Sequence, residues 1–503
     1  MSSIRRNVLS NYVGQIYVAV IGIATIPLYL KYLGAEAYGL VGFFTLLQAW
    51  VQLLDMGLSP TLAREVARLH ESVEDAQQLR EVVRSLEVVF ACAAALITVP
   101  LFIAREWVAE RWLTLEELDP QLVATCVGMM IVMLGIRWLA ALHRSGVNAY
   151  ERQVWMNILN VVIVTLRFPA SVLVLIVTGG DVLWFFAYQL VLSVAEQLII
   201  TGKFYRLLPS ARRPLKWVNR KELLRIAPFA TSVAYTTGIW VFITQLDKLL
   251  LSKVLTLGHY GYFSLVATIS AGVMTLSWPV STALLPRMTA LLAKGREADM
   301  LAVYCKATRL VACIAAPVSI VIAWFPGEVI YVWTGDRQAA AWGSSILPLY
   351  VLGYGILTVE GFQYYLQYAH GRMKLHVYFN SFVAALSIPL IAVAAFQFGP
   401  VGVGWVWLGF RLASFALWTP VIHRNFAPGL HGKWLINEVM RPLATTVLVL
   451  AVPIGLLEIT FPTERGSGFI ALSCLIAVTT LIALSVSFNH EIRGFHRARL
   501  QLR

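Results

Sequence analysis

Long apolar stretches alternate with short polar segments along the whole chain. Each stretch holds about twenty predominantly apolar residues, which is the length of a helix that crosses the hydrocarbon core of a bilayer. The stretches are apolar on every face, which favours helices over the alternating strands of a membrane barrel. The pattern predicts fourteen spans at 8–30, 40–63, 85–104, 122–143, 154–177, 182–204, 227–250, 262–285, 307–330, 343–368, 377–398, 402–423, 443–460 and 469–488. The predicted fold class is an all-α polytopic membrane protein.

The basic residues between the spans predict the orientation of the helices. Of the 40 Lys and Arg residues, 30 lie in one set of alternate segments, which includes both termini, and 6 lie in the opposite set. Cytoplasmic loops carry the excess of Lys and Arg in membrane proteins, so both termini are expected in the cytoplasm. The most basic segment, 205–226, either binds anionic lipid or phosphate, or serves only as a positive-inside anchor.

Composition narrows the classes of function. Hydrophobic residues make up 58% of the chain and charged residues 13%, with a mean hydropathy of +0.71, whereas soluble domains are about 25% charged. The net charge of +13 follows from the cytoplasmic segments, so no nucleic-acid partner is expected. No segment between spans is long enough to bury its own core, and no G-x-x-x-x-G-K-[ST] loop occurs, which argues against an ATPase or a separate catalytic domain.

A short internal repeat indicates that the chain consists of two related halves. The segments Leu33 to Gly39 and Leu257 to Gly261 both end in Tyr-Gly, 222 residues and six spans apart. Six is an even number, so both copies have one orientation, as in transporters whose halves are related by an axis along the membrane normal. Two similar turns formed by chance are the alternative. The predicted organisation is a six-helix half (1–204), a basic cytoplasmic connector (205–226), a second six-helix half (227–423), and two additional helices with a basic tail (424–503).

Four cations lie inside predicted spans, where an ionisable group is costly unless it is paired or hydrated. Arg167 and Arg411 are close to mid-span, and we expect them to line a polar cavity. Arg137 is about two turns from a span end, so it either lines the cavity or extends to the headgroups. Arg suits a doubly charged phosphate group, because its planar guanidinium donates parallel hydrogen bonds and stays charged. We predict that these three residues and Lys248 bind an anionic substrate.

Carboxylates inside the spans are candidates for ion coupling. Asp55 and Glu360 lie deep in spans beside glycines, and each either binds a coupling proton or pairs with an arginine. Asp247 directly precedes Lys248, and adjacent helical residues point about 100° apart, so at least one of the two should face the protein interior. Anchoring of both near the outer interface is the alternative. We predict Asp55, Asp247 and Glu360 as the ion-coupling residues.

Two sets of motifs occur near spans 1 and 2 and near spans 7 and 8. The first set is Arg5-Arg6-Asn7, Tyr32-Leu33-Gly34, Tyr38-Gly39-Leu40, Leu54-Asp55-Met56-Gly57-Leu58 and Arg64-Glu65. The second set is Gln245-Leu246-Asp247-Lys248-Leu249-Leu250-Leu251, Gly258 and Tyr260-Gly261-Tyr262. Together they resemble the signatures of bacterial Wzx-type polysaccharide-unit flippases, which belong to the multidrug/oligosaccharidyl-lipid/polysaccharide exporter superfamily. The resemblance covers essentially the whole chain and implies two six-helix bundles that rock around a central cavity.

The resemblance also implies a function. An undecaprenyl-pyrophosphate-linked oligosaccharide repeat unit would cross the bacterial inner membrane for O-antigen, capsule or exopolysaccharide synthesis, by alternating access coupled to a proton or sodium ion. The implied partners are membrane lipids and the polysaccharide polymerase machinery, with no enzyme activity, cofactor or metal. Three alternatives remain: a cation-coupled drug exporter of the same superfamily, a lipid II flippase, which shares the fourteen spans, and a membrane glycosyltransferase or polymerase that uses the acidic segment 105–121.

Overall fold

The structure is a computed structural model that describes residues 2–55, 58–69, 76–210, 218–457 and 464–501. Within these ranges the chain is almost entirely helical, and no strand forms beyond an isolated bridge between Thr114 and Thr256. The all-α fold class is thereby confirmed. The chain divides into two compact units, Met1–Gly261 and Tyr262–Arg503.

The first unit is built around one central helix. Helix α5 packs against α8, α2 and α3 through large apolar side chains such as Phe90, Trp138 and Phe204. A π-helical turn, Val108–Trp112, follows α4. The helices of this unit are α1 (Ser2–Leu54), α2 (Leu58–Leu69), α3 (Ala76–Ile103), α4 (Arg105–Trp107), α5 (Pro120–Ala149), α6 (Gln153–Arg167), α7 (Pro169–Val177), α8 (Val182–Leu207) and α9 (Arg220–Val254).

The second unit is also organised around a central helix, α12, which packs against α11, α15, α20 and α21. Two π-helical segments, Ser414–Trp418 and Leu435–Met440, interrupt its regular helices. The remaining helices are α10 (Leu257–Thr275), which begins in the first unit, α11 (Trp278–Ala293), α12 (Glu297–Trp324), α13 (Pro326–Thr334), α14 (Arg337–Gly343), α15 (Leu347–Glu360), α16 (Phe362–Ala369), α17 (Lys374–Ala413), α18 (Thr419–Phe426), α19 (His431–Trp434), α20 (Arg441–Leu457) and α21 (Arg465–Gln501).

Each of the fourteen predicted spans overlaps at least one of these helices. In the described residues, ten continuous helical stretches are long and apolar enough to cross a membrane, and α14 with α15 and α16 forms an eleventh that is bent by 65°. Two of the ten, Tyr17–Trp50 and Lys374–Phe426, each contain a glycine with a positive φ, Gly34 or Gly399, and each overlaps two predicted spans. Helix α9 covers the remaining predicted span.

The predicted division into halves and connector remains a prediction. Helix α9, which was assigned to the second half, packs against α1 in the first unit. The part of the predicted connector from 211 to 217 lies outside the described residues, as do Met56 and Gly57 of the first motif set.

The two copies of the internal repeat touch each other in space. A Cβ atom on Gly39 would lie 2.0 Å from the carbonyl oxygen of Leu257, and one on Gly261 would lie 2.6 Å from the carbonyl oxygen of Ala35. Gly261 follows Gly39 by 222 residues, and Leu257 follows Ala35 by the same number. The contacts are therefore equivalent under the repeat, and each needs a residue without a side chain because backbone of the other copy occupies the space.

We expect Gly39→Ala to destabilise the protein by about 1–3 kcal/mol or more, because the added methyl group meets a carbonyl that cannot rotate away. Thermal unfolding of the purified protein in detergent measures the change. Gly272→Ala is the matched control, since a Cβ atom there meets nothing within 4 Å. Equal unfolding temperatures for the two variants would show that the turns are not closely packed.

Two carboxylates connect segments of the first unit through hydrogen bonds and ion pairs. Glu36 accepts hydrogen bonds from the backbone N–H groups of Glu116 and Glu117 at 2.7 and 2.8 Å. Glu65 pairs with Arg225 at 2.6 Å and with Arg68 at 2.8 Å. Burial alone would raise the pKa of Glu65, but the hydrogen bonds and charges of the two guanidinium groups outweigh it and hold that pKa below its usual value. Both carboxylates therefore have structural roles.

Candidate substrate site

A cluster of polar side chains lies inside the first unit, between α5, α6 and α8. Each of these helices carries two of the polar residues seven positions apart, which places them two turns apart on one face. The pairs are Arg137 and Arg144 on α5, Asn160 and Arg167 on α6, and Gln189 and Glu196 on α8. The three polar faces point at one another, and we call this group of side chains the arginine cluster.

Glu196 is the centre of the arginine cluster. Its Oε1 atom accepts a hydrogen bond from Nη2 of Arg144 and its Oε2 atom one from Nη2 of Arg167, both at 2.5 Å. Arg144 also donates to Asn160. Glu196 is only 5% exposed, so burial and two guanidinium groups together fix its position.

Arg137 joins the cluster without contacting the carboxylate. It donates from Nε to Ser193 at 3.0 Å and from Nη1 to Gln48 on α1 at 2.9 Å, and its guanidinium lies 5.0 Å from the ring centre of Phe44. Among the described residues, its Nη2 atom and the Nε atom of Arg167 are buried and have no hydrogen-bond partner. The cluster therefore keeps donors that its own acceptors do not use.

A proline positions Arg167. Pro169 begins α7, and because proline has no N–H group and its ring clashes with the preceding turn, α6 ends at Arg167. The carbonyl of Arg167 instead accepts hydrogen bonds from Tyr29 at 3.1 Å and from Gln189 at 2.8 Å. The guanidinium also lies at the negative end of α6, which favours a cation.

Glu360 and Arg411 form a second buried group, in the second unit. Glu360 ends α15 and accepts hydrogen bonds from Gln363 at 3.1 Å and from Ser414. Arg411 acts on it electrostatically and stacks on Trp407, with 4.4 Å from the guanidinium carbon to the ring centre. Both residues are buried, at 4% and 8% exposure. Both alternatives for Glu360, binding of a coupling proton and pairing with an arginine, remain predictions.

The other predicted residues of the first unit lie on or next to helices α1 and α9. Lys248 lies on α9, where its Nζ atom is 3.4 Å from Oδ1 of Asp247 and donates to the carbonyl of Thr244 at 2.6 Å. Asp55 lies just after the end of α1 and accepts a hydrogen bond from Ser59 on α2. In the described residues, no three His, Cys, Asp or Glu side chains are grouped so as to hold a metal ion.

Of the four charged members of the arginine cluster, Arg144 and Glu196 were not predicted as site residues, and neither were the uncharged members Asn160 and Gln189. Arg144 was assigned to a cytoplasmic segment, yet α5 extends to Ala149 and carries it within the bundle. Glu196 lies inside the predicted span 182–204 and was not among the predicted site residues. The repeated seven-residue spacing of polar positions in three successive spans is the signal that links them.

A bundle of long apolar helices with buried guanidinium groups defines the protein as a polytopic membrane protein. The comparisons with known proteins identify its family. The profile of the polysaccharide biosynthesis protein family matches residues 4–292, more than half of the chain, and that of the MatE family matches residues 239–393. The chain belongs to the polysaccharide biosynthesis protein family, within the exporter superfamily that its motifs resemble. No curated protein sequence matches it.

Solved structures of the same superfamily share the fold. The lipid II flippase MurJ in an inward closed conformation is 13% identical, with 96% of this chain and 100% of that chain covered and a TM-score of 0.74. An inward-facing multidrug resistance MATE transporter is 14% identical, with 82% and 96% covered and a TM-score of 0.58. A superfamily transporter from Pyrococcus furiosus is 14% identical, with 84% and 96% covered and a TM-score of 0.52. Family and fold together make the protein a multi-pass membrane flippase or transporter.

Proposed function

We propose that the protein moves an undecaprenyl-pyrophosphate-linked oligosaccharide repeat unit from the inner to the outer leaflet of the bacterial inner membrane. The observation that carries this proposal is the arginine cluster, in which Arg137, Arg144 and Arg167 face one carboxylate, Glu196. The resulting excess is two positive charges. The pyrophosphate that joins a polyprenyl chain to a sugar has two ionised phosphate groups and matches that excess.

The free-energy cost of placing three arginines at membrane depth supports a substrate-binding role for the cluster. An arginine at the centre of a transmembrane helix costs roughly 2.5–3.5 kcal/mol unless it is neutralised. Glu196 offsets part of this cost, and the buried donors on Arg137 and Arg167 remain available. Arginines can hold a pyrophosphate through parallel charge-assisted hydrogen bonds, whereas lysine would act only as a point charge.

Transport then follows from alternating access. The arginines bind the pyrophosphate from the cytoplasmic side, the polyprenyl tail stays in the bilayer, and rocking of the bundles exposes the sugar to the opposite side. A proton or sodium ion biases the change through Asp55, Asp247 or Glu360, with Arg411 and Lys248 as their charged neighbours. Both termini lie in the cytoplasm in this proposal, and the chain has no catalytic function of its own. The transported repeat unit is then used by the polymerase machinery that builds O-antigen, capsule or exopolysaccharide.

The surplus of positive charge distinguishes this function from drug export. A cationic drug would be repelled by the arginine cluster, since like charges in a medium of low dielectric constant interact strongly. The likeness to the MATE transporter concerns the fold and leaves the cargo open.

Inverted membrane vesicles test the proposed function. Vesicles from cells that make a labelled undecaprenyl-linked glycan expose the cytoplasmic face, so transport moves the label into the lumen. We expect the label to become protected from added glycosidase only in vesicles that contain the protein, and protection to fall when the ion gradient is removed. Equal digestion of the labelled glycan with and without the protein, measured with a validated donor lipid, would show that the proposed substrate is wrong.

A further inference from the structure

Glu196 occupies the place that an anionic ligand would take between two arginines. Each of its carboxylate oxygens accepts one short hydrogen bond, from Arg144 or from Arg167. This is the geometry in which two guanidinium groups share a phosphate group through different oxygens. The negative charge already in the site is therefore part of the protein itself.

The arginine cluster has more buried donors than Glu196 satisfies. The carboxylate has two oxygens, and both are engaged by Nη2 atoms. Nη2 of Arg137 and Nε of Arg167 remain buried without a partner among the described residues. A buried donor without a partner costs free energy until an acceptor reaches it. A larger anion with several oxygens can engage these donors, which the carboxylate leaves unused.

We infer that Glu196 is an internal counter-anion that competes with the phosphate groups of the ligand for Arg144 and Arg167. In the empty site it neutralises part of the positive charge and holds the two guanidinium groups in place. When a pyrophosphate binds, phosphate oxygens replace the carboxylate at Arg167 and also engage the two unused donors. The return of Glu196 then helps the ligand to leave. The consequence for transport rests on the proposed function, whereas the competition itself is a property of the site.

Neighbouring residues hold α8 while the carboxylate changes partners. Gln189 bonds the carbonyl of Arg167 at 2.8 Å, and Ser193 accepts from Arg137 at 3.0 Å. These contacts do not involve the carboxylate. Exchange at Glu196 therefore requires a side-chain movement and leaves α8 attached to α5 and α6.

Binding of inorganic pyrophosphate to the purified full-length protein in detergent tests the competition. We expect Glu196→Gln to bind pyrophosphate about tenfold more tightly than the native protein, because an uncharged amide competes less well for guanidinium groups. The matched control is Glu87→Gln, which removes a carboxylate of the same unit that pairs with His143 at 2.9 Å and with Tyr205. The control should bind as the native protein does. Unchanged or weaker binding by the Glu196→Gln variant would overturn the inference.

A second variant covers the case in which Glu196→Gln does not fold. Glu196→Asp keeps the charge but is one methylene shorter, so it cannot reach both arginines, and we expect pyrophosphate affinity above that of the native protein. Equal or lower affinity would count against the competition. In vesicles, Glu196→Gln should lower both the half-saturating lipid concentration and the maximal rate. Tighter pyrophosphate binding without any glycan transport by the native protein would refute the proposed function and leave the counter-anion role intact.

Discussion

Replacing Arg167 by alanine should reduce glycan transport by about a hundredfold or more, because two or more charge-assisted hydrogen bonds to the ligand are lost. The variant also lowers the positive excess of the cluster from two charges to one, which no longer matches a pyrophosphate. The protein should still reach the membrane, since Arg144 continues to neutralise Glu196. Protease protection of labelled glycan in inverted vesicles, normalised to the amount of protein, gives the result.

Two further variants make this prediction specific. Arg167→Lys keeps the charge but loses the planar fork, and it should give an intermediate rate. Lys294→Ala removes an exposed cation beyond the end of α11 and should transport as the native protein does. Native transport by Arg167→Ala at a normal protein level would show that the arginine cluster is not the substrate site.

Replacing Arg411 by alanine should destabilise the protein by about 3 kcal/mol or more, because the buried Glu360 carboxylate then loses the charge that offsets it. Adding Glu360→Gln to that variant should restore most of the stability, since the amide needs no counter-charge. Thermal unfolding of the two single variants and of the double variant forms a double-mutant cycle that measures the coupling. Additive effects within about 0.5 kcal/mol would mean that the two residues do not interact.

The Glu360→Gln variant of this cycle also tests the role of Glu360 in ion coupling, apart from its effect on stability. Glu360→Gln alone should fold and still bind pyrophosphate, but its transport should no longer depend on the ion gradient. A gradient dependence equal to that of the native protein would remove Glu360 from the ion-coupling residues and leave Asp55 and Asp247.

Much of the fold could be predicted from the sequence because span length and loop charge are local properties. Each of the fourteen predicted spans overlaps at least one described helix, and the positive-φ glycines Gly34 and Gly399 lie between two predicted spans. The pattern predicted α6 and α7 as the single span 154–177, but it could not show which residues Arg167 contacts where that span is broken before Pro169. A proline in a span indicates a kink, but its partners depend on which helices pack beside it.

The candidate site was only partly predictable for the same reason. Arg137 and Arg167 were identified by their depth in the spans, and the structure places both in one cluster. Glu360 and Arg411 were predicted for different roles, ion coupling and substrate binding, and both roles remain predictions for these two buried residues. Whether Arg144 belongs to the cluster depends on how far α5 extends, and whether Glu196 does depends on how α8 is rotated. Neither property can be predicted from the sequence of one span.

The reciprocal contact between the repeat copies has a consequence for the origin of the molecule. In a symmetric dimer of identical chains, residue i of one subunit touches residue j of the other, and j touches i in return. Gly39 with Leu257 and Gly261 with Ala35 follow this rule within a single chain. Duplication and fusion of the gene for a shorter protein that formed such an isologous interface would produce this arrangement, with the reciprocal contacts kept inside one chain.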